Sequence, residues 1–91
     1  MTHNGWCDFL KLCLAAENEK ILTEFFELMF TAEERSSLET RCGIIRSLLN
    51  QKIPQRQISE ELKVSIAKIT RGSNELKRIS PRLKQFLLAH F

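Results

Sequence analysis

The chain has 91 residues, of which 43% are hydrophobic and 27% are charged, and its formal net charge is +3. This length allows one compact domain and argues against a two-domain enzyme. No uncharged apolar run approaches the roughly 18 residues that a membrane span requires, so we expect no membrane partner. A domain this small buries a small fraction of its surface, and its stability commonly depends on disulfides, a metal or a partner chain.

The cysteines and histidines give little support for a disulfide scaffold or a metal site. Three cysteines are an odd number, and no basic leader with an apolar core begins the chain, so we predict a cytoplasmic protein without disulfides. His3, Cys7 and Cys13 could be metal ligands, but no Cys-x-x-Cys pair exists and His90 lies at the far end. We predict no metal, and oligomerisation remains as the support for the fold.

Charge is divided unevenly along the chain. Residues 1–51 carry five Lys and Arg against eight acidic residues, a net −3, whereas residues 52–91 carry nine against three, a net +6. Such asymmetry is typical of a protein in which one part packs and another meets a polyanion. Charge alone leaves a solvated basic face without a partner equally open.

The apolar residues recur every three or four positions, which predicts an all-helical fold. A first stripe lies within residues 6–14, and a second, within residues 21–29, is so widely apolar that we expect it to be buried on several sides. Thr31 and Glu34 have the spacing of a capping box and predict a third helix that ends near Asn50. Its apolar face is expected to comprise Leu38, Cys42, Ile44, Ile45, Leu48 and Leu49.

Residues 54–79 have the pattern of a helix-turn-helix. Gln51 to Ile53 form a connector, and Pro54 suits the first position of a helix that continues over residues 55–62, with Ile58 and Leu62 inward. Residues 63–65 turn the chain, and a second helix capped by Ser65 carries Ile66, Ile69, Leu76 and Ile79. In this motif the start of the second helix enters the major groove of DNA.

A final helix is predicted after this motif. Ser80 is expected to cap it, and Pro81 suits its first position because the missing N–H would have no partner there. Leu83, Phe86 and Leu87 are expected to face inward.

At residues 69–74 (ITRGSN) the chain resembles the tryptophan-responsive trp repressor family, and the resemblance covers about two thirds of the sequence. The matching residues follow the family's order, without gaps from residue 28 onward, and include Leu28-Met29, Thr31 to Arg35, Leu38, Thr40-Arg41, Leu48-Leu49, Gln55-Arg56, Glu61-Leu62, Ile66-Ala67 and Leu76-Lys77. The resemblance implies one all-α domain over residues 1–91, a six-helix intertwined homodimer. Residues 1–50 and 80–91 would form its dimerisation core, with the helix-turn-helix at 54–79.

The resemblance also implies a site for L-tryptophan as corepressor, with no other cofactor. In the family the indole lies between two arginines, which match Arg41 and Arg71 here. Guanidinium groups stack on aromatic rings, and Arg71 can also hold the ligand carboxylate. The ligand ammonium would meet carbonyls at the end of the second helix of the other chain. Those carbonyls lie around Leu28, Phe30 and Thr31, where the helix dipole is negative.

Three further residues belong to the implied tryptophan site: Ile45, Gly72, which would leave room beside the ring, and Glu75. Glu75 stands where the best-studied members have serine, so its carboxylate either pairs with the ammonium or points to solvent. Without the resemblance, a surface salt bridge with Glu33 or Glu34 of a partner chain would be the preferred interpretation of Arg41.

Contacts to double-stranded operator DNA, chiefly to phosphates, are implied for Thr40, Gln55, Arg56, Ile66, Ala67, Lys68, Thr70, Arg71 and Lys77. Lys68 and Ser59 are departures, because the best-studied members have threonine and lysine there. The charge has moved from the first helix of the motif to the second, so the operator sequence need not be the same. Pro54 replaces a capping serine.

These patterns predict a tryptophan-dependent transcriptional repressor that binds a pseudo-palindromic operator as a homodimer. One alternative is a ligand-independent helix-turn-helix protein, which would not need arginines at both positions 41 and 71. Another is a helical dimeric protein-interaction module whose basic face binds an acidic partner. No enzyme is expected, since no nucleophile has a base at recognisable spacing and no Gly-rich phosphate loop occurs.

Overall fold

A computed structural model describes residues 4–50 and 52–91, and within those residues the protein is helical and contains no strand. The six helices are α1 (Gly5–Ala15), α2 (Glu19–Met29), α3 (Ala32–Asn50), α4 (Gln55–Leu62), α5 (Ile66–Leu76) and α6 (Pro81–His90). The predicted all-helical fold is confirmed. None of these helices is long and apolar enough to cross a lipid bilayer. His3, considered above as a metal ligand, and Gln51 of the predicted connector lie outside the described residues.

The chain divides into two compact units between Arg35 and Ser36, and each is described by itself. The first unit is organised around the ring of Phe9. The Phe9 ring centroid lies 5.7 Å from that of Trp6, 5.6 Å from that of Phe25 and 5.8 Å from that of Phe30, which it meets edge to face. Stacked and edge-to-face pairs of this kind add to the free energy of burying the rings. They fix α1 against α2.

Polar side chains begin the helices of this unit. The Asn18 Oδ1 atom accepts the Ile21 N–H at 2.9 Å at the start of α2. The predicted capping box is confirmed at α3, where the Thr31 N–H donates to Glu34 Oε1 at 2.9 Å and the Glu34 N–H donates to Thr31 Oγ1 at 3.1 Å. Hydrogen bonds to the Glu34 carboxylate, first from the Thr31 backbone N–H and then from the Thr31 side chain, lower the pKa of Glu34 below its usual value.

The first unit leaves several large apolar side chains in solvent. No residue of α1 or α2 is buried, and Leu14, Leu28 and Trp6 are 87%, 80% and 67% exposed. The burial that we expected for residues 21–29 is therefore not reached within the first unit. A solvated apolar face this broad is typical of a surface that a further chain covers.

The second unit has a small core at the meeting of α3, α4 and α5. Ile44, Ile58 and Ile69 are 4%, 1% and 0% exposed, and Leu48, Ile53 and Val64 pack against them. The predicted apolar face of α3 needs correction, because Leu38 and Cys42 are exposed while Ile44 and Ser47 are buried. The helix turns this side inward since α4 and α5 cover it.

Two details of α4 differ from the prediction. Pro54 precedes α4 instead of occupying its first turn, because its ψ of 148° is extended, and it makes no side-chain cap. Leu62 is 36% exposed, although its methyl groups lie over Gly43 of α3. The predicted turn at residues 63–65 is present, and Lys63 takes the left-handed conformation there with φ of 56°.

The ends of α5 and α6 require two more corrections. α5 ends at Leu76, three residues before Ile79, in a turn in which the Arg78 N–H donates to the Glu75 carbonyl at 3.0 Å. The turn leads to Ser80, whose backbone is extended, as the position before Pro81 favours. Ser80 caps α6 as predicted, its Oγ accepting the Leu83 N–H at 3.1 Å, and Pro81 is the first helical residue. Leu83 and Phe86 are 42% and 59% exposed instead of buried, because α6 packs only loosely on the rest of the second unit.

Candidate functional site

A cleft of about 620 Å³ lies between α3 and α5. Its lining residues are Ser36, Ser37, Thr40, Arg41, Ile44 and Ile45 from α3 and Lys68, Arg71, Gly72 and Glu75 from α5. On each helix these residues recur at intervals of three and four, so each set forms one continuous face. Two helical faces thus meet across a space large enough for a small organic ligand.

The floor of the cleft is set by the close approach of the two helices at Gly72. A Cβ atom placed on Gly72 would lie 2.9 Å from Cγ2 of Ile44 and 3.4 Å from Cδ1 of Leu48. The first of these distances is shorter than the van der Waals contact of two carbon atoms, so an added side chain would displace a neighbour. Any side chain at position 72 would therefore require Ile44 or one of the two helices to shift, whether or not a ligand is present.

The charged residues of the cleft lining are mostly cationic. Arg41, Lys68 and Arg71 carry three positive charges and Glu75 carries one negative charge, which gives the lining a formal net charge of +2. Both arginines are exposed, so their planar guanidinium groups are free to stack on an aromatic ring or to hold a carboxylate. The Thr40 hydroxyl donates to the Ser36 carbonyl at 3.1 Å and keeps its oxygen free to accept.

The first turns of α5 also expose side chains outside the cleft, and Lys68 belongs to both surfaces. Ser65 caps the helix, and its Oγ accepts the backbone N–H of Lys68 at 3.4 Å. Ile69 is fully buried. The outward residues are Ile66, Ala67, Lys68 and Thr70. A surface of this composition can offer a lysine, a hydroxyl and apolar groups to one partner.

Side-chain contacts and a shared apolar core join α4 and α5. The Thr70 hydroxyl lies 3.1 Å from Gln55 Oε1 and 3.0 Å from the Ile66 carbonyl, and it can donate to either oxygen. At the turn the Ser59 hydroxyl donates to the Val64 carbonyl. With Ile58 and Ile69 buried between them, α4 and α5 form a well-defined two-helix element.

Over residues 4–90 the sequence matches the family described as Trp repressor protein. The chain belongs to the Trp repressor family. A Trp operon repressor homolog of Chlamydia caviae is 46% identical over 84 residues, which cover 92% of this chain and 83% of that protein. The homolog from Chlamydia trachomatis serovar D is also 46% identical, over 92% of this chain and 89% of that protein. One from Haemophilus influenzae strain PittEE is 38% identical, over 93% and 84% respectively.

The resemblance predicted from the sequence is thereby confirmed. The Trp repressor family consists of transcription regulators and not of enzymes, and the chain is a tryptophan-responsive transcriptional repressor. Which residues perform this function in the present chain stays a prediction.

The structure places one part of the predicted tryptophan site in the cleft. Arg41, Ile45, Arg71, Gly72 and Glu75 all line it. Ser36, Ser37 and Ile44 also line the cleft, although the sequence did not predict them as site residues. The signal for Ser36 and Ser37 was their spacing, because they lie one helical turn before Thr40 and Arg41 on α3.

The other part of the predicted tryptophan site lies in the first unit. Leu28 lies near the end of α2 and is 80% exposed. The Phe30 carbonyl accepts a hydrogen bond from Arg35 Nη1 at 2.9 Å. Thr31 takes part in the capping box. Their contact with a ligand stays a prediction.

The predicted DNA contacts form four groups in the second unit. Thr40, Lys68 and Arg71 line the cleft, which the sequence did not predict for the first two. Gln55 and Arg56 begin α4, and Ile66, Ala67 and Thr70 belong to the first turns of α5. Lys77 follows α5 and lines a smaller cavity of about 270 Å³, together with Leu48, Leu49, Ser73, Leu76, Ile79 and Lys84.

Proposed function

We propose that this Trp repressor family member binds operator DNA as a homodimer and takes up tryptophan in the α3–α5 cleft. The observation that supports the proposal is the composition of the cleft. Arg41 and Arg71, the two arginines that match the indole-binding pair of the family, share it with Thr40 and Lys68, which match DNA-contacting positions. One surface thus carries residues for both ligands.

The cleft suits the chemistry of tryptophan. The indole ring would lie between the guanidinium planes of Arg41 and Arg71, each stacking contact contributing about 0.5–2 kcal/mol. Ile44 and Ile45 offer an apolar floor. The ligand carboxylate would accept charge-assisted hydrogen bonds from Arg71, which are stronger than hydrogen bonds between neutral groups.

The exposure of large apolar side chains supports a homodimer. Only three hydrophobic residues of the described chain are buried, and Leu14 and Leu28 are more than three-quarters exposed. Phe86 of α6 is 59% exposed. A small domain without disulfides or a metal commonly gains stability by burying such apolar surface against a second chain.

In this proposal α4 and α5 act as a DNA-binding helix-turn-helix. The outward residues at the start of α5 would face base edges in the major groove, and Arg56 and Lys77 would contact phosphates. Two such elements in a dimer bind half-sites about 34–36 Å apart. Tryptophan would favour the position of α5 that fits this spacing, and bound repressor would block a promoter.

The test measures operator binding with and without tryptophan. A duplex is selected from a random library in saturating tryptophan, and its affinity for the full chain is then measured by gel shift with tryptophan, with phenylalanine and without an amino acid. We expect binding to weaken at least tenfold, or about 1.4 kcal/mol, without tryptophan. Equal affinity under all three conditions would contradict the ligand half of the proposal.

A matched pair of arginine variants on α3 sharpens this test. Arg41→Ala should abolish the effect of tryptophan, because one side of the stacking site is lost. Arg46→Ala removes the same side chain from the same helix at an exposed position that does not line the cleft. Arg46→Ala should keep the effect of tryptophan on operator binding. Loss of this effect in both variants would argue against the assigned cleft.

A further inference from the structure

We infer that Glu75 makes the cleft selective for ligands that carry an ammonium group next to their carboxylate, and this inference rests on the proposed uptake of tryptophan. Glu75 is the one acidic residue among the ten that line the cleft. It follows Arg71 by four residues, so the two side chains lie one turn apart on the same face of α5. A cation and an anion in this arrangement match the two charged groups of an α-amino acid.

The position of Glu75 in the helix supports a role in binding rather than in folding. It is the last residue but one of α5, where the helix dipole is negative and an acidic side chain is unfavourable. Local placements that oppose stability are expected where a residue serves function. A ligand ammonium would offset both the carboxylate and the negative end of the helix.

Pairing within the helix does not account for Glu75. An acidic residue that follows a basic one by four positions is the weaker order for an ion pair on a helix. Both side chains are also exposed, and a pair between exposed side chains contributes little. Arg71 and Glu75 therefore remain available to a ligand that offers each its opposite charge.

The charge balance of the lining shows what selectivity to expect. Without Glu75 the charged residues of the lining would be Arg41, Lys68 and Arg71 alone, and these attract any indole with a carboxylate. With Glu75 present, a ligand that lacks the ammonium group leaves the Glu75 carboxylate without a partner. The Glu75 carboxylate then also lies close to the negative charge of the ligand's own carboxylate. The cleft should therefore bind tryptophan in preference to indole-3-propionate, which has the same ring and carboxylate.

Calorimetry on the full chain with tryptophan and with indole-3-propionate tests the inference. For the wild type we expect tryptophan to bind about tenfold more tightly, since a hydrogen bond to a charged group is worth roughly that factor in an open site. In Glu75→Gln the two ligands should bind within about threefold of each other, with the affinity for indole-3-propionate unchanged or raised. Glu60→Gln, an exposed change on α4, should retain the wild-type ratio.

Thermal unfolding of the ligand-free variants separates binding from folding. Glu75→Gln should unfold at the same temperature as the wild type or a higher one, because it removes an acidic side chain from the end of α5. An unchanged tryptophan preference in Glu75→Gln would overturn the inference, and so would an equal loss of affinity for both ligands. If the wild type binds neither indole, the proposed function fails and the inference fails with it.

Discussion

Replacing Gly72 by alanine tests whether the contact between α3 and α5 sets the geometry of the cleft. The added Cβ would lie 2.9 Å from Cγ2 of Ile44, a side chain that is 4% exposed and belongs to the core of the second unit. Cγ2 is bonded directly to the Ile44 Cβ, so it can withdraw only if Ile44 changes rotamer. β-Branched residues in helices are nearly restricted to one rotamer. Either Ile44 takes a strained rotamer or the two helices move apart.

The size of the effect follows from two opposing contributions. Overpacking a core costs about 1–3 kcal/mol, and alanine is favoured over glycine inside a helix by about 1 kcal/mol. Gly72→Ala should therefore destabilise the protein by about 1 kcal/mol. At Gly43 of α3 an added Cβ would meet only Leu62 methyl groups, at 3.9 Å, which is an ordinary contact. Gly43→Ala should stabilise by up to about 1 kcal/mol, so the two variants should differ by about 2 kcal/mol.

Urea unfolding followed by circular dichroism measures this difference. The protein concentration must be the same in every experiment, because the stability of a dimer depends on it. In an Ile44→Ala background the clash is absent, and Gly72→Ala should cost at least about 1 kcal/mol less than in the wild type. If Gly72→Ala is as stable as Gly43→Ala, the close approach of α5 to α3 does not set the cleft, and the reasoning fails.

Three further predictions concern the binding residues, the capping box and the turn. Arg71→Ala should lose both tryptophan uptake and DNA binding. Lys77→Ala should weaken DNA binding alone, and the slope of DNA affinity against salt concentration should fall by the equivalent of about one phosphate contact. Undiminished tryptophan uptake by Arg71→Ala in calorimetry would refute the assigned cleft. Because hydrogen bonds from Thr31 lower the pKa of Glu34, their stabilisation is complete above the usual glutamate pKa and is lost as pH falls through the lower folded-state pKa. Glu34→Gln should not show this loss of stability when it is unfolded by acid. Identical acid-unfolding profiles for Glu34→Gln and the wild type would argue against the stabilising role of Glu34. Lys63→Gly should stabilise by about 0.5–1 kcal/mol in urea unfolding, since φ is 56° there, and a loss of stability would contradict this.

Features that depend on neighbouring residues could be predicted from the sequence. The capping box of Thr31 and Glu34 and the start of α6 at Pro81 follow from side chains within one turn of each other, and both were correct. The family resemblance added Arg41 and Arg71, which lie far apart in sequence and line one cleft. Periodicity alone contains no information that pairs them.

Features that depend on packing between helices could not be predicted. α3 is apolar on both the Leu38 side and the Ile44 side, and only the positions of α4 and α5 decide that Ile44 is buried. The role of Gly72 in helix packing was hidden for the same reason, because its nearest neighbour, Ile44, is 28 residues away. The apolar pattern of α5 runs on to Ile79, but the helix ends earlier, in the turn that leads to the extended residue before Pro81.

We expect three residues of the cleft, Thr40, Lys68 and Arg71, to couple the binding of tryptophan to the binding of DNA. All three line the space assigned to tryptophan, and all three match positions that contact DNA in the family. If the residues of two ligands share one surface, each ligand changes the free energy of binding the other, and the two changes must be equal. Tryptophan can therefore strengthen operator binding only by the factor by which the operator strengthens tryptophan binding. Lys68 extends this shared surface with a charge that the best-studied members lack, so coupling in this repressor should depend on salt through the cleft itself.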